Sequence, residues 1–153
     1  MIMSTEHEVM LARVFARVAG DLAFMFIEPQ EDGFIPSPSG PCVSATITFS
    51  GKFEGSLSIA VPTALCPVIA ANVLGVEPED ESATDQLYDA LTELLNVTCG
   101  NLLTALAGDE PVFDLTIPTV QSLDLRAWDE LQRTPGTVAL VLEEHPVLLR
   151  LSL

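Results

Sequence analysis

The stretch DALTELLNVTCGN sets two carboxylates, a carboxamide and a bare backbone position in register: Asp89, Glu93, Asn96 and Gly100. On an α-helix these four fall within about 60° of one another. Leu87, Leu91, Leu94, Leu95, Leu102 and Ala105 then occupy the opposite side. A carboxamide offers a carbonyl acceptor and an NH2 donor, so Asn96 can hold a polar group in a set orientation. Asn and Gly are poor helix formers, Gly costing roughly 1 kcal/mol relative to Ala. Gly100 leaves space for another surface to approach. E-x-x-N is also a common pattern on solvated helix faces, so the spacing alone does not single out a function.

The helix that must carry this face is expected over residues 83–107, closed by Gly108. An earlier amphipathic helix is expected over residues 5–27, with 1–4 fraying or capping it and Val9, Leu11, Val14, Phe15, Val18, Leu22 and Phe26 at helical spacing. Residues 28–41 are rich in Pro, Gly and Ser and read as a loop. Residues 42–62 alternate as a β-hairpin around Ser50, Gly51 and Lys52, with Phe53 counted among the apolar members of its second strand. Residues 63–74 read as a helix bounded or bent at Pro67 and stopped by Gly75. An acidic linker, 77–82, leads into the long helix. A strand at 112–117 is expected to stop at Pro118, followed by a short turn or helix at 125–131. A second hairpin pairs 137–142 with 147–153, turning at 143–146. Leu11, Gly20 and Leu22 recur 80 residues later as Leu91, Gly100 and Leu102, with Asp21 resembling Asn101. The expected architecture is therefore a single α+β domain over 1–153. It has two α-then-β halves, about 1–75 and 76–153, sharing a mostly antiparallel sheet with two long helices packed on one face.

Composition narrows the function classes. A chain of 153 residues that is 48% apolar can bury a hydrophobic core. Its net charge is −16, and no Lys or Arg lies between Phe53 and Leu125. That disfavours nucleic acid, which requires a basic footprint, and anionic lipid surfaces. No uninterrupted apolar run approaches the roughly 20 residues of a membrane helix, and the acidic start does not resemble a secretory signal. A cytoplasmic location without membrane insertion is expected. Cys42, Cys66 and Cys99 are odd in number and widely spaced, which reads as reduced, buried thiols rather than a disulfide framework or zinc site. Asp80, Glu81 and Asp85 lack calcium-loop spacing and read as a solvated linker, so no metal site is expected. His7 and His145 form no nucleophile–histidine set that the sequence supports.

Asp89-x3-Glu93-x2-Asn96, continuing to Gly100-Asn101 and then FDLTIPTV with Pro118 and Thr119, resembles the CheC/CheX/FliY family of chemotaxis phosphatases. The order of elements is similar over nearly the whole chain, which implies a CheC-like fold. The 80-residue echo places Arg13 against Glu93 and Ala16 against Asn96, so the first helix carries no equivalent motif. A single motif in the second half is closer to CheX.

The resemblance implies hydrolysis of the aspartyl phosphate on a response-regulator receiver, with CheY as the type. Asn96 would orient the attacking water, and Glu93 would pair with the receiver's lysine. Asp89, Gly100 and Asn101 would contact the partner. No cofactor of its own is implied, Mg2+ being expected on the receiver. The alternative is a non-catalytic receiver-binding or scaffold module. CheX-like proteins form dimers, and the apolar terminal stretch HPVLLRLSL would be a liability as an unpaired edge. A homodimer through strand edges is expected.

Overall fold

Strict alternation in residues 42–62 builds the hairpin at the centre of the sheet. A computed structural model describes residues 5–28 and 35–153, and in it Cys42–Ser50 forms β1 and Gly55–Pro62 forms β2. They pair antiparallel from Cys42 opposite Pro62 to Phe49 opposite Gly55. Val43, Ala45 and Ile47 share one buried face with Leu57, Ile59 and Val61, because successive side chains alternate. Phe53 lies in the connection rather than in β2, with its ring 6.2 Å from Phe49 and 5.1 Å from Phe113. The residues expected at 1–4, and 29–34 of the expected loop, lie outside the described residues.

Four further strands complete the sheet: β3 (Asp114–Leu115), β4 (Thr119–Leu123), β5 (Thr137–Leu142) and β6 (His145–Ser152). β3 and β4 both pair with β1, and the order then runs β1, β2, β6, β5, every pairing antiparallel. The terminal strand is thus no edge. β6 is flanked by β2 and β5, which explains its apolar character without exposure. The edges are β5 on one side and β3 with β4 on the other. The second hairpin turns tightly through Glu143 and Glu144, both left-handed at φ 48° and 69°, so the strand resumes at His145.

Helix α1 (Thr5–Ala23) ends short of the expected residue 27. Phe24 takes φ 53°, and Ile27 is recruited to the sheet edge opposite Leu142. Apolar periodicity continues past Ala23, but the sheet competes for the chain there. A short 3-10 turn (Thr63–Leu65) leads into α2 (Cys66–Leu74), with Pro67 in its first turn, where the missing N–H costs nothing. Gly75 closes α2 in the left-handed region at φ 73°.

The long second helix is split. Asp80 caps a short α3 (Glu81–Asp85) by accepting from the Ser82 N–H at 2.9 Å, so the end of the acidic linker is already helical. Gln86 then leaves helical geometry at φ −109°, ψ 32°, and α4 begins at Asp89 and runs to Ala107. Local capping thus starts one helix early and a break resets the next.

α1, α2 and α4 contribute one contiguous core with the sheet face of Val43, Ala45 and Ile47. The opposite face is covered by α5 (Leu125–Arg133), capped by Asp124, whose carboxylate accepts from the Ala127 N–H at 2.7 Å. Its Trp128 is fully buried against Cys42, Ala60 and Leu148. α4 is long and apolar enough to cross a bilayer by length and composition, but eight of its residues are buried in this core.

Candidate active site

The polar stripe of α4 is produced by the helix periodicity itself. Leu91, Leu94, Leu95, Thr98, Cys99 and Leu102 are buried, which turns Asp89, Glu93, Asn96 and Gly100 to the surface. Ala105, expected on the core side, is exposed beyond the sheet's reach. The Thr98 hydroxyl donates to the Leu94 carbonyl at 2.7 Å, so the polar group on the buried face is satisfied within the helix. Cys99 is fully buried beside it, and desolvation pushes its thiol up to about 11. This thiol is packing, not chemistry.

Beside Glu93 and Asn96 the edge strand carries a β-bulge. Leu115 pairs with Phe49 and Thr119 pairs with Thr46. Two residues of β1, Ile47 and Thr48, therefore face three of the edge strand, Thr116, Ile117 and Pro118. The strand expected over 112–117 is reduced to β3, which stops at Leu115, and does not run through Pro118. Pro118 sits in the bulge between β3 and β4, where a residue without an N–H is tolerated, and pairing resumes at Thr119. Thr116 fixes the bulge to β1. Its N–H donates to the Thr48 carbonyl at 3.0 Å, and its hydroxyl lies 3.0 Å from both the Thr48 N–H nitrogen and the Thr48 hydroxyl. Upstream, Phe113 locks edge-on against Phe49 at 6.2 Å.

The bulge and α4 enclose one open depression of about 320 Å3. α4 contributes Thr92, Glu93 and Asn96, and residues 115–118 form the other wall. The Thr92 hydroxyl is taken by the Asp89 carbonyl at 2.9 Å. Among the described residues neither the Glu93 carboxylate nor the Asn96 carboxamide has a protein partner, so both are free to meet a second molecule.

The remaining expected contacts separate by position. Asp89 is exposed one turn before Glu93, in the first turn of α4, where the helix dipole favours a carboxylate. Gly100 is exposed one turn beyond Asn96, and a Cβ built there meets nothing within 4 Å. No packing constraint within the chain therefore explains the glycine. Asn101 is not in the depression. It lines a groove between α1 and α4 with Arg17, Asp21 and Val97, and its NH2 donates to the Val97 carbonyl at 2.8 Å.

Sequence reasoning missed Thr92, Leu115, Thr116 and Ile117 as site walls. A signal for the bulge was present: Phe113, Leu115 and Ile117 alternate, then the apolar register slips by one to Val120. The acidic group around Asp80 serves a helix start, its carboxyl held below the usual range by bonds from the Ser82 hydroxyl and N–H. Among the described residues no three His, Cys, Asp or Glu side chains are grouped to hold a metal ion.

The profile of the family described as Chemotaxis phosphatase CheX matches residues 43–139, well over half of the chain. No curated protein sequence matches it significantly. Among solved structures, the chain is similar to CheX of Borrelia burgdorferi from a CheX–CheY–BeF3–Mg2+ complex, at 20% identity and a TM-score of 0.63 over 95% of this chain and 96% of that one. It is similar to CheX of Desulfovibrio desulfuricans at 17% identity and a TM-score of 0.65, over 95% and 99% of the two chains. A CheC-like superfamily protein of Shewanella sp. PV-4 is 23% identical with a TM-score of 0.62, covering 98% of each chain. The family match runs from Val43 in β1, which anchors the bulge, through the whole of α4, and so the chain belongs to the CheX family of chemotaxis phosphatases.

Proposed function

We propose that this protein hydrolyses the aspartyl phosphate of a CheY-like receiver domain. The observation that carries the reading is the placement of Glu93 and Asn96. They lie one turn apart, exposed and without protein partners among the described residues, on the wall of one depression. The complex of Borrelia burgdorferi CheX with CheY supports a receiver as the partner, and its Mg2+ supports a cation held on the receiver side.

Hydrolysis of an acyl phosphate on a receiver is limited by positioning and electrostatics. The Asn96 carbonyl accepts a proton of the attacking water, while the NH2 faces a phosphoryl oxygen. Water oxygen bonds to phosphorus as the bond to the aspartate oxygen breaks, leaving a carboxylate and inorganic phosphate. A carboxylate at position 96 would repel the phosphoryl group. Glu93 pairs with the receiver's lysine and fixes the approach, a contact that contributes a few kcal/mol at most. Asp89 and Gly100 flank these two on the docking face, and Asn101 contacts the partner from the α1–α4 groove. The protein acts in the cytoplasm, as a homodimer joined through strand edges.

The test is to add catalytic amounts of the protein to a phosphorylated receiver and follow loss of the acyl phosphate. Acceleration over the receiver's own rate supports the reading. Stable binding of the phosphorylated receiver without acceleration would instead make the protein a docking module.

A further inference from the structure

Ile117 is 87% exposed, the most exposed large apolar side chain among the described residues. It is not on a disordered tip. The bulge that presents it is pinned by the hydrogen bonds from Thr116 to Thr48 and follows the packed ring of Phe113. A regular strand would keep Ile117 on the same face as Leu115, turned towards the core. The extra residue between the Leu115 and Thr119 pairings breaks that alternation at Ile117. Ile117 lines the same depression as Glu93 and Asn96. A surface that brings a reacting group to Asn96 across this depression approaches Ile117 as well, and an apolar hollow there buries it without desolvating a polar group for no return.

We infer that Ile117 is the specificity anchor of this site: the receiver that docks on it carries an apolar hollow at the rim of its phosphorylation site, beside the lysine that meets Glu93. The inference rests on the receiver reading above. Leu115, 38% exposed in the same wall, extends the apolar contact. Thr116 is a positioning residue, since it touches β1 and acts through the bulge.

The experiment measures binding of CheY-type receivers charged with Mg2+ and the phosphoryl mimic beryllofluoride, alongside turnover of the phosphorylated receivers. Ile117→Ser should weaken binding and raise KM about tenfold, the cost of losing one buried aliphatic side chain, with kcat kept within about twofold. Ile117→Val should restore binding to within about threefold. Ile117 is outside the core, and an unchanged melting temperature shows that the variant folds. Binding by Ile117→Ser equal to wild type overturns the inference while leaving the phosphatase reading intact. Wild type that binds but does not accelerate hydrolysis defeats the phosphatase reading, and weaker binding by Ile117→Ser still supports the anchor. A change in oligomeric state with receiver binding intact would assign Ile117 to a second copy of the chain and overturn the inference. Failure of wild type to bind any charged receiver overturns both.

Discussion

At the residue scale, the proposed function divides the work between Glu93 and Asn96 by chemistry. Glu93 is an unpaired carboxylate among the described residues, and in the proposed function its contribution is to association. Glu93→Gln keeps shape and hydrogen bonding but removes the charge. It is expected to raise KM for the phosphorylated receiver by about tenfold, with a smaller effect on kcat, read from saturation kinetics. An equal loss in kcat with KM unmoved would place Glu93 in the chemical step instead. These two residues were readable because helix periodicity fixes which side chains share a face. Ile117 and Thr116 were not, because their positions depend on a register slip against β1, a partner 68 residues away in the Thr48–Thr116 bonds.

At the element scale, α4 carries a glycine that its own packing does not require. Gly100→Ala should stabilise the fold by about 0.5–1 kcal/mol, seen as a raised midpoint in denaturant, and should weaken receiver binding by placing a methyl group at the docking face. Stabilisation without any loss of binding would remove Gly100 from the interface. The helix's existence and its buried face were evident from leucine spacing. Its start was not, because the break at Gln86 follows an early cap by Asp80 that competes with the longer apolar pattern. The strand expected to run up to Pro118 stops earlier, at Leu115, and pairing resumes beyond the proline at Thr119, because an edge can break around a proline and pair again, and edge status is set by pairing, not by local sequence. The terminal strand shows the same dependence. Its apolar run fits burial between β2 and β5, whereas reading it as an edge assumed a topology that composition does not fix.

At the scale of the whole molecule, two cores share one sheet, and both contain thiols. Burial pushes Cys66 up to about 12 and Cys99 up to about 11, both from 9.0. The folded state therefore keeps protons that the unfolded chain releases above pH 9. Stability from these groups is complete below pH 9 and is lost as pH rises towards 11 to 12, by roughly 1 kcal/mol per pH unit for each thiol. Denaturant titrations at pH 8, 9 and 10 should show that decline, and substituting Ala at both positions should reduce it, with the Cys42 thiol, also raised by burial, retaining a part. A wild-type curve flat over that range would contradict the packing described for α2 and α4. The general class, α+β with an antiparallel sheet, followed from alternating and helical periods along the chain. The third layer, α5 with Trp128 on the far face, did not, since one tryptophan in a short helix carries no sign of which face it covers.

The central claim is that an amide on α4, not a group of the receiver alone, sets the rate of phosphate loss. Single-turnover hydrolysis of a phosphorylated receiver, with the protein in saturating excess, tests it directly. Asn96→Ala should still bind the charged receiver but lose acceleration by on the order of 100-fold, the scale of removing one well-placed polar group from a transition state. Acceleration by Asn96→Ala equal to that of wild type would contradict the account.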